Sequence, residues 1–173
     1  LEVYDFPIAY FPKFFHPDPS VKRQSGFLKP ELGSSNNLGS SVYVPYFLVI
    51  SDDNDLTIKP RLFDNNKFLL QNEYRQKNKN SFTIVDFSLV NGHDSSPQDK
   101  GGLRSHFFTN TLVDLSLVNF KKSMLKINYQ KTSNDNYLKL FNLQSPLLLD
   151  DNSVLESKIE FDLEHENYDL TTS

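Results

Sequence analysis

Gly92-His93-Asp94-Ser95-Ser96 sets the three residue types of a nucleophilic hydrolase side by side. Such chemistry needs a base within hydrogen-bond reach of the nucleophile and an orienting acid behind it. Chain neighbours in a turn-rich loop do not supply that geometry. The stretch reads as a loop. The four histidines (His16, His93, His106 and His165) show no metal-ligand spacing, and the chain has no cysteine, which removes zinc-thiolate sites, iron–sulfur clusters and disulfides. Lys100-Gly101-Gly102 lacks the setting of a phosphate-binding loop and reads as the end of a hairpin loop. Glu160, Asp162, Glu164 and Glu166 fall on alternate positions and form one acidic side, a wall open to water. With a net charge of -4 there is no nucleic-acid footprint. The sequence therefore predicts no enzyme, no metal, no cofactor and no nucleic-acid partner.

The elements that would position these residues are strands. Among 173 residues there are 15 Phe and 8 Tyr against one Met, no Trp and a single Ala, Ala9, a mix that suits a pleated surface. From Leu38 onward, segments of about ten residues alternate with Asn, Asp, Gly and Ser clusters that punctuate strands. The segments are Leu38–Ile50, Leu56–Phe63, Phe68–Lys77, Ser81–Val90, Leu103–Val118, Ser123–Lys131 and Ser153–Leu170. In the sixth, Leu125, Ile127 and Tyr129 oppose Lys126, Asn128 and Gln130. In the last, Ile159, Phe161 and Leu163 oppose Lys158, Glu160, Asp162 and Glu164. Period two means one apolar and one wet face. The fold class is all-β and antiparallel.

Two architectures share that pattern. A soluble sandwich turns the apolar face inward, whereas a membrane barrel turns it toward lipid and wets its lumen. Segments of ten or more residues match the 9–11 that cross a bilayer at a tilt and exceed the usual soluble strand. No run of about 18 apolar residues marks a spanning helix, and the mean hydropathy of -0.49 does not argue against a barrel, whose alternation averages out. Seven strands leave open edges that hydrocarbon does not tolerate, so membrane strands here imply a fragment. A start on Leu1, inside an apolar segment, points the same way.

The stretch His16–Pro30, "HPDPSVKRQSGFLKP", fits neither sheet. Together with "VYDFPIAYFPKFF" before it and "ELGSSNNLGSSVYVPYFLVISDDNDLTIKPRLF" after it, it strongly resembles the LptD family of lipopolysaccharide-assembly proteins, also described as organic-solvent-tolerance proteins. The carrying features are an aromatic P-x-x-Y-x-P strand, a basic pair before "SGFL", a Ser/Asn stretch, a Pro-Tyr doublet and "DLTIKP". Asn72–Arg75 and Thr132–Phe141 are similar to family stretches too.

The resemblance implies a periplasmic β-jellyroll followed by a very large outer-membrane barrel. Residues 1–15 would be the jellyroll's last strand, 16–37 a junction, and 38–173 the first seven or so barrel strands. It implies insertion of lipopolysaccharide into the outer leaflet through a jellyroll groove and a lateral gate, with no bond made or broken. The partners would be lipopolysaccharide, an LptE-type plug lipoprotein, an LptA-type periplasmic bridge and outer-membrane lipids. Pro45 and Pro60 would be gate prolines in the first two barrel strands, each deleting a ladder bond. An ordinary rim bulge is the plain alternative. Phe6, Ile8, Tyr10, Phe14 and Phe15 would line the lipid path, or simply pack a core. Lys22, Arg23, Ser25, Gly26 and Phe27 would form the junction, the basic pair near headgroup phosphates or merely solvating a turn. The acidic side could hold divalent cations beside phosphorylated sugars, though a solvated wall fits it better. Leu48 stands where many relatives carry an aromatic, often Trp. Other outer-membrane barrels, of porin or receptor type, and a soluble β-sandwich binding module remain the alternatives.

Overall fold

A computed structural model describes residues 23–35, 38–64, 67–91, 102–148, 154–165 and 169–172, together with the backbone of 2–3 and 6–7. Two short strands, β1 (Glu2–Val3) and β2 (Phe6–Pro7), pair with each other in a two-stranded sheet. The remaining strands form one antiparallel sheet. They are β3 (Gly26–Phe27), β4 (Glu31–Ser35), β5 (Gly39–Tyr43), β6 (Tyr46–Val49), β7 (Asn54–Phe63), β8 (Phe68–Lys77), β9 (Ser81–Asn91), β10 (Leu103–Asp114), β11 (Lys122–Thr132), β12 (Lys158–Glu164) and β13 (Asp169–Thr172). Among the described residues one short helix, α1 (Tyr137–Phe141), lies in the connection from β11 to β12.

From β7 to β13 the sheet runs in chain order, each strand hydrogen-bonded to the next. β7 pairs with β5 at one end and β6 at the other in one unbroken register: Tyr43 faces Arg61 and Tyr46 faces Ile58. Hence β5 and β6 are halves of one strand interrupted at Val44–Pro45. β4 pairs with β5 and β3 with β6, so residues 26–35 form a further strand beyond it. The described sheet is open, with this strand at one edge and β13 at the other.

This departs from the sequence reading in two places. Gly26–Ser35, read as junction, is largely strand. Its Pro30, Gly33 and serines carry the signature of a loop, yet an edge strand tolerates proline and glycine because one side of it needs no ladder. The segment ending at Leu170 is a hairpin, β12 and β13, and not one strand.

The two faces are chemically opposite. On β7, Asp55, Thr57, Arg61 and Phe63 are buried while Leu62 is exposed. The register carries the rule across the sheet. One face holds Arg61, Gln71, Asp86, Ser88 and His106, all buried, and α1 packs upon it. The other bares Phe27 (76% exposed), Leu32 (85%), Leu62, Leu89, Leu103, Phe107, Ile159 and Phe161. Leu125, Ile127 and Tyr129 share that bare face with Ile159 and Phe161, as the alternation predicts. A water-soluble sandwich buries its apolar face. Here the polar face is covered and the apolar one is bare, which is the membrane-barrel pattern.

The small core lies on the covered face. Tyr137, Phe141 and Leu143 from the β11–β12 connection pack on Leu38, Phe63, Leu69 and Val90. Leu38 is brought there by the turn before β5, where Gly39 has φ +73°. A Cβ at Gly39 would stand 2.2 Å from Asp64 Oδ1, so that turn admits only glycine.

Candidate functional site

The edge of the sheet carries a row of prolines. Leu28 N–H donates to Pro45 O at 2.8 Å. A narrow antiparallel pair exchanges two such bonds, and the return bond would need an N–H on Pro45, which proline lacks. Val44 N–H likewise donates to Pro60 O at 3.3 Å, and Pro60 cannot answer. Between Leu28, opposite Pro45, and Glu31, opposite Tyr43, two residues (Lys29 and Pro30) face the single Val44. That is a β-bulge, one of the few places a sheet admits proline. Three adjacent strands are thus weakened at one level, by Pro30, Pro45 and Pro60. Each missing bond lowers the stability of the pairing at this edge by about 1 kcal/mol.

A second feature faces this row from the covered side. The β11–β12 connection crosses the sheet like a strap and is held by polar side chains that stand up from the strands. Arg61 donates from Nη1 to Phe141 O, Gln71 Nε2 to Gln144 O at 2.9 Å, and Gln130 Nε2 to Leu147 O at 2.9 Å. The Tyr137 hydroxyl lies 2.7 Å from Ser88 Oγ, which lies 2.6 Å from His106 Nδ1. Gln71 Nε2 reaches both Asp86 carboxylate oxygens, at 3.1 and 3.2 Å. Burial pushes the Tyr137 phenol up to about 12, so it stays neutral.

Asp86, His106 and Ser88 together imitate a catalytic triad. The arrangement does not support catalysis. All three are buried beneath the strap, and the serine hydroxyl is occupied by Tyr137. Asp86 Oδ1 is 3.3 Å from His106 Nε2 but off the line of a hydrogen bond, leaving that nitrogen without a donor–acceptor partner among the described residues. The geometry is that of a clamp between sheet and strap.

Beside the prolines, on the same covered face, opens a recess of about 390 Å³. Pro45, Lys29, Lys59, Arg61, Glu31 and Asn142 are among its lining residues. Arg61 Cζ lies over the rings of Tyr43 and Phe63, 4.4 and 4.7 Å from their centroids.

The sequence-predicted residues separate as follows. Pro45 is at the break in the second strand of the sheet, counting residues 26–35 as the first. Pro60 is in the third, β7. The expectation that they occupy the first two strands is corrected by the edge strand, which brings Pro30 into the row. Arg23 is not spread into solvent: it ion-pairs with the buried Asp55, which also receives Arg75 Nε at 2.8 Å, and it sits over the Phe47 ring. Ser25 Oγ accepts Val49 N–H at 2.8 Å, while Gly26 and Phe27 form β3. Phe27 packs edge-on against Tyr46 on the bare face. Phe6 lies in β2 by its backbone. Ile8, Tyr10, Phe14, Phe15 and Lys22 lie outside the described residues, as do Glu166, His16 and the Gly92–Ser96 stretch.

The acids of β12 face lysines. Asp162 takes Lys122 at 2.8 Å and Glu160 takes Lys158 at 3.2 Å. Among the described residues no cluster fit to hold a metal forms. The sequence reading missed Pro30, Arg61 and the Asp86–Ser88–His106 set. Pro30 was legible from the spacing of Pro30, Pro45 and Pro60 at equal intervals. The others carry no local signal, because strand pairing alone brings them together.

No family model matches the chain. Curated relatives do. The LPS-assembly protein LptD of Pseudomonas aeruginosa (strain UCBPP-PA14) is 33% identical over 94 residues, 54% of this chain and 10% of that protein. That of Nitrosococcus oceani is 32% identical over 127 residues, 68% of this chain and 17% of the relative. That of Pseudoalteromonas atlantica is 29% identical over 137 residues, 79% of this chain and again 17% of the relative. The chain thus spans between a tenth and about a sixth of the length of these relatives. Their names describe an assembly protein and not an enzyme.

Proposed function

From the premise that this chain belongs to the LptD family, we propose that it forms the beginning of an outer-membrane barrel wall in a Gram-negative bacterium, and that its first strands form the seam through which lipopolysaccharide leaves sideways. The inverted sheet, apolar face bare and polar face covered, carries the reading. Strands β7 to β11, of 10 to 12 residues, have the length to cross the hydrocarbon at a tilt.

Loop lengths supply the orientation. The two longest links, β9–β10 and β11–β12, lie at one end of the sheet with the short links 36–38 and 64–67, whereas Ser51–Asp53 and Asn78–Asn80 lie at the other, where no link of the described strands exceeds seven residues. Outer-membrane barrels keep short turns in the periplasm and long loops outside. Arg23, at the start of the first strand, is tied to the short-turn end through Asp55 and the Asp52 carbonyl. The N-terminal segment therefore enters from the periplasm. That suits a jellyroll in residues 1–15, with Phe6, Ile8, Tyr10, Phe14 and Phe15 handing over acyl chains, and a bridge of LptA type as donor.

The gate is the row Pro30, Pro45 and Pro60. The edge strand 26–35 would close the barrel against a strand beyond this chain, and weakened ladders behind it let the edge swing. The strap and the polar wall line the lumen, the side on which sugars pass and a plug lipoprotein of LptE type would sit.

Single-cysteine labelling tests the orientation: these 173 residues hold no cysteine, and any elsewhere in the full-length protein is first replaced by serine. In outer membranes holding the full-length protein, a cysteine at Leu62 or Ile159 should resist a charged maleimide and react with a lipophilic one, whereas one at Lys126 should react with the charged reagent. Equal access of the charged reagent to both faces would sink the barrel reading.

A further inference from the structure

We propose that the recess between the edge strand and the strap binds the phosphate of a phosphorylated sugar, with Arg61 as its main anchor and Lys29 at its rim. The proposal rests on the export reading above and gives that path a site.

Arg61 is 1% exposed, and a cation so deep in a protein ordinarily has an anion beside it. Here every partner is a neutral oxygen: Ser41 Oγ at 2.9 Å from Nε, Tyr43 OH at 3.0 Å from Nη1, and Phe141 O. Nη2 has no acceptor among the described residues. Gly33 keeps the space in front of it open, since a Cβ there would stand 3.0 Å from Nη2. The free edge of the guanidinium therefore borders the recess. Lys29 lines it from the bulge and makes no contact with a carboxylate among the described residues, and Lys59, although paired with Glu73 at 2.9 Å, lines it too. Glu31 is the one carboxylate in the described lining, against three cations.

A guanidinium fork with flanking ammonium groups matches a phosphate better than a hydroxyl or an acyl chain. The amides of Asn142 and Gln144 on the strap can meet sugar hydroxyls. A volume of about 390 Å³ is at the small end for organic ligands, enough for one phosphorylated monosaccharide. Pro45 borders the same space, so a sugar held here would sit directly behind the seam.

Isothermal titration of the full-length protein with its partner chains in detergent tests this, using glucosamine 6-phosphate, glucosamine and inorganic phosphate as probes. The sugar phosphate should bind, glucosamine should not, and inorganic phosphate should bind more weakly. Arg61→Gln should lower sugar-phosphate affinity about tenfold or more, the loss of one charge-assisted contact. Because Arg61 also holds the strap, Lys29→Glu is the second variant: it touches no described contact and should weaken binding severalfold. Equal binding of glucosamine, or no effect of Lys29→Glu, overturns the site. Inorganic phosphate binding as tightly as the sugar phosphate overturns the sugar assignment. Wild-type delivery of lipopolysaccharide to the cell surface is scored in parallel. Delivery intact with no phosphate preference defeats this site alone, whereas no delivery at all defeats the export reading as well.

Discussion

Tyr137→Ala unseats the strap. The ring is fully buried between Phe141 and His106, and its hydroxyl closes on Ser88. Truncating a buried aromatic costs about 3–5 kcal/mol, and Ser88 and His106 lose their cover as well. The docked connection has few other apolar anchors, chiefly Phe141 and Leu143. Most of that loss therefore falls on local docking rather than on the sheet, whose ladders do not involve the strap. Limited proteolysis of intact outer membranes from outside should cut the β11–β12 connection about a hundredfold faster in the variant, the rate equivalent of about 3 kcal/mol. Tyr137→Phe keeps the ring and loses only the hydroxyl, so it should fall between the two. Unchanged protection in Tyr137→Ala would show that the strap is not held by this clamp.

The second large effect is on export. Pro45→Ser supplies an N–H aimed at the Leu28 carbonyl, and Pro60→Ser one aimed at the Val44 carbonyl. Each restored ladder bond adds about 1 kcal/mol to the closed seam, and two together change its opening equilibrium roughly thirtyfold. The double variant should fold and insert normally but deliver lipopolysaccharide several times more slowly. Slower delivery would be scored by pulse-labelled lipopolysaccharide reaching the cell surface, with barrel content measured by heat-modifiable mobility on gels. Full delivery by a correctly inserted double variant would remove the prolines from the gate. Adding Pro30→Ser separates the proline from the bulge. Val44 still faces two residues in that variant, so the bulge stays and any further slowing is owed to the proline alone.

Much of the fold was written in alternation. Leu125, Ile127 and Tyr129, like Ile159, Phe161 and Leu163, announced a strand with one apolar face, and the register confirms which residues share it. Which face meets water could not be read from one segment, since a sandwich and a barrel use the same period. It follows only from what the faces meet. Arg61, Asp86, Ser88 and His106 are buried under the strap while Leu32 and Leu62 stand bare. The edge strand was hidden because its residues, Pro30, Gly33 and Ser34, satisfy edge and loop rules equally well. The Arg23–Asp55–Arg75 cluster and the Tyr137 clamp were hidden for a different reason. Their members are separated by up to 52 positions, and only pairing of intervening strands brings them into contact.

The central claim, that lipid passes the edge strand, is tested most directly at Phe27. Its side chain is on the bare face of the edge strand, level with Ile58 at the middle of β7. A photo-crosslinking residue is placed there in the full-length protein, with Phe161, on the same face far from the edge, as the comparison. Irradiation of cells actively making lipopolysaccharide should give a crosslink at Phe27 that fades when synthesis is stopped, and little or none at Phe161. Equal crosslinking at both positions, or none at Phe27 in an exporting cell, would contradict a lateral path along residues 26–35.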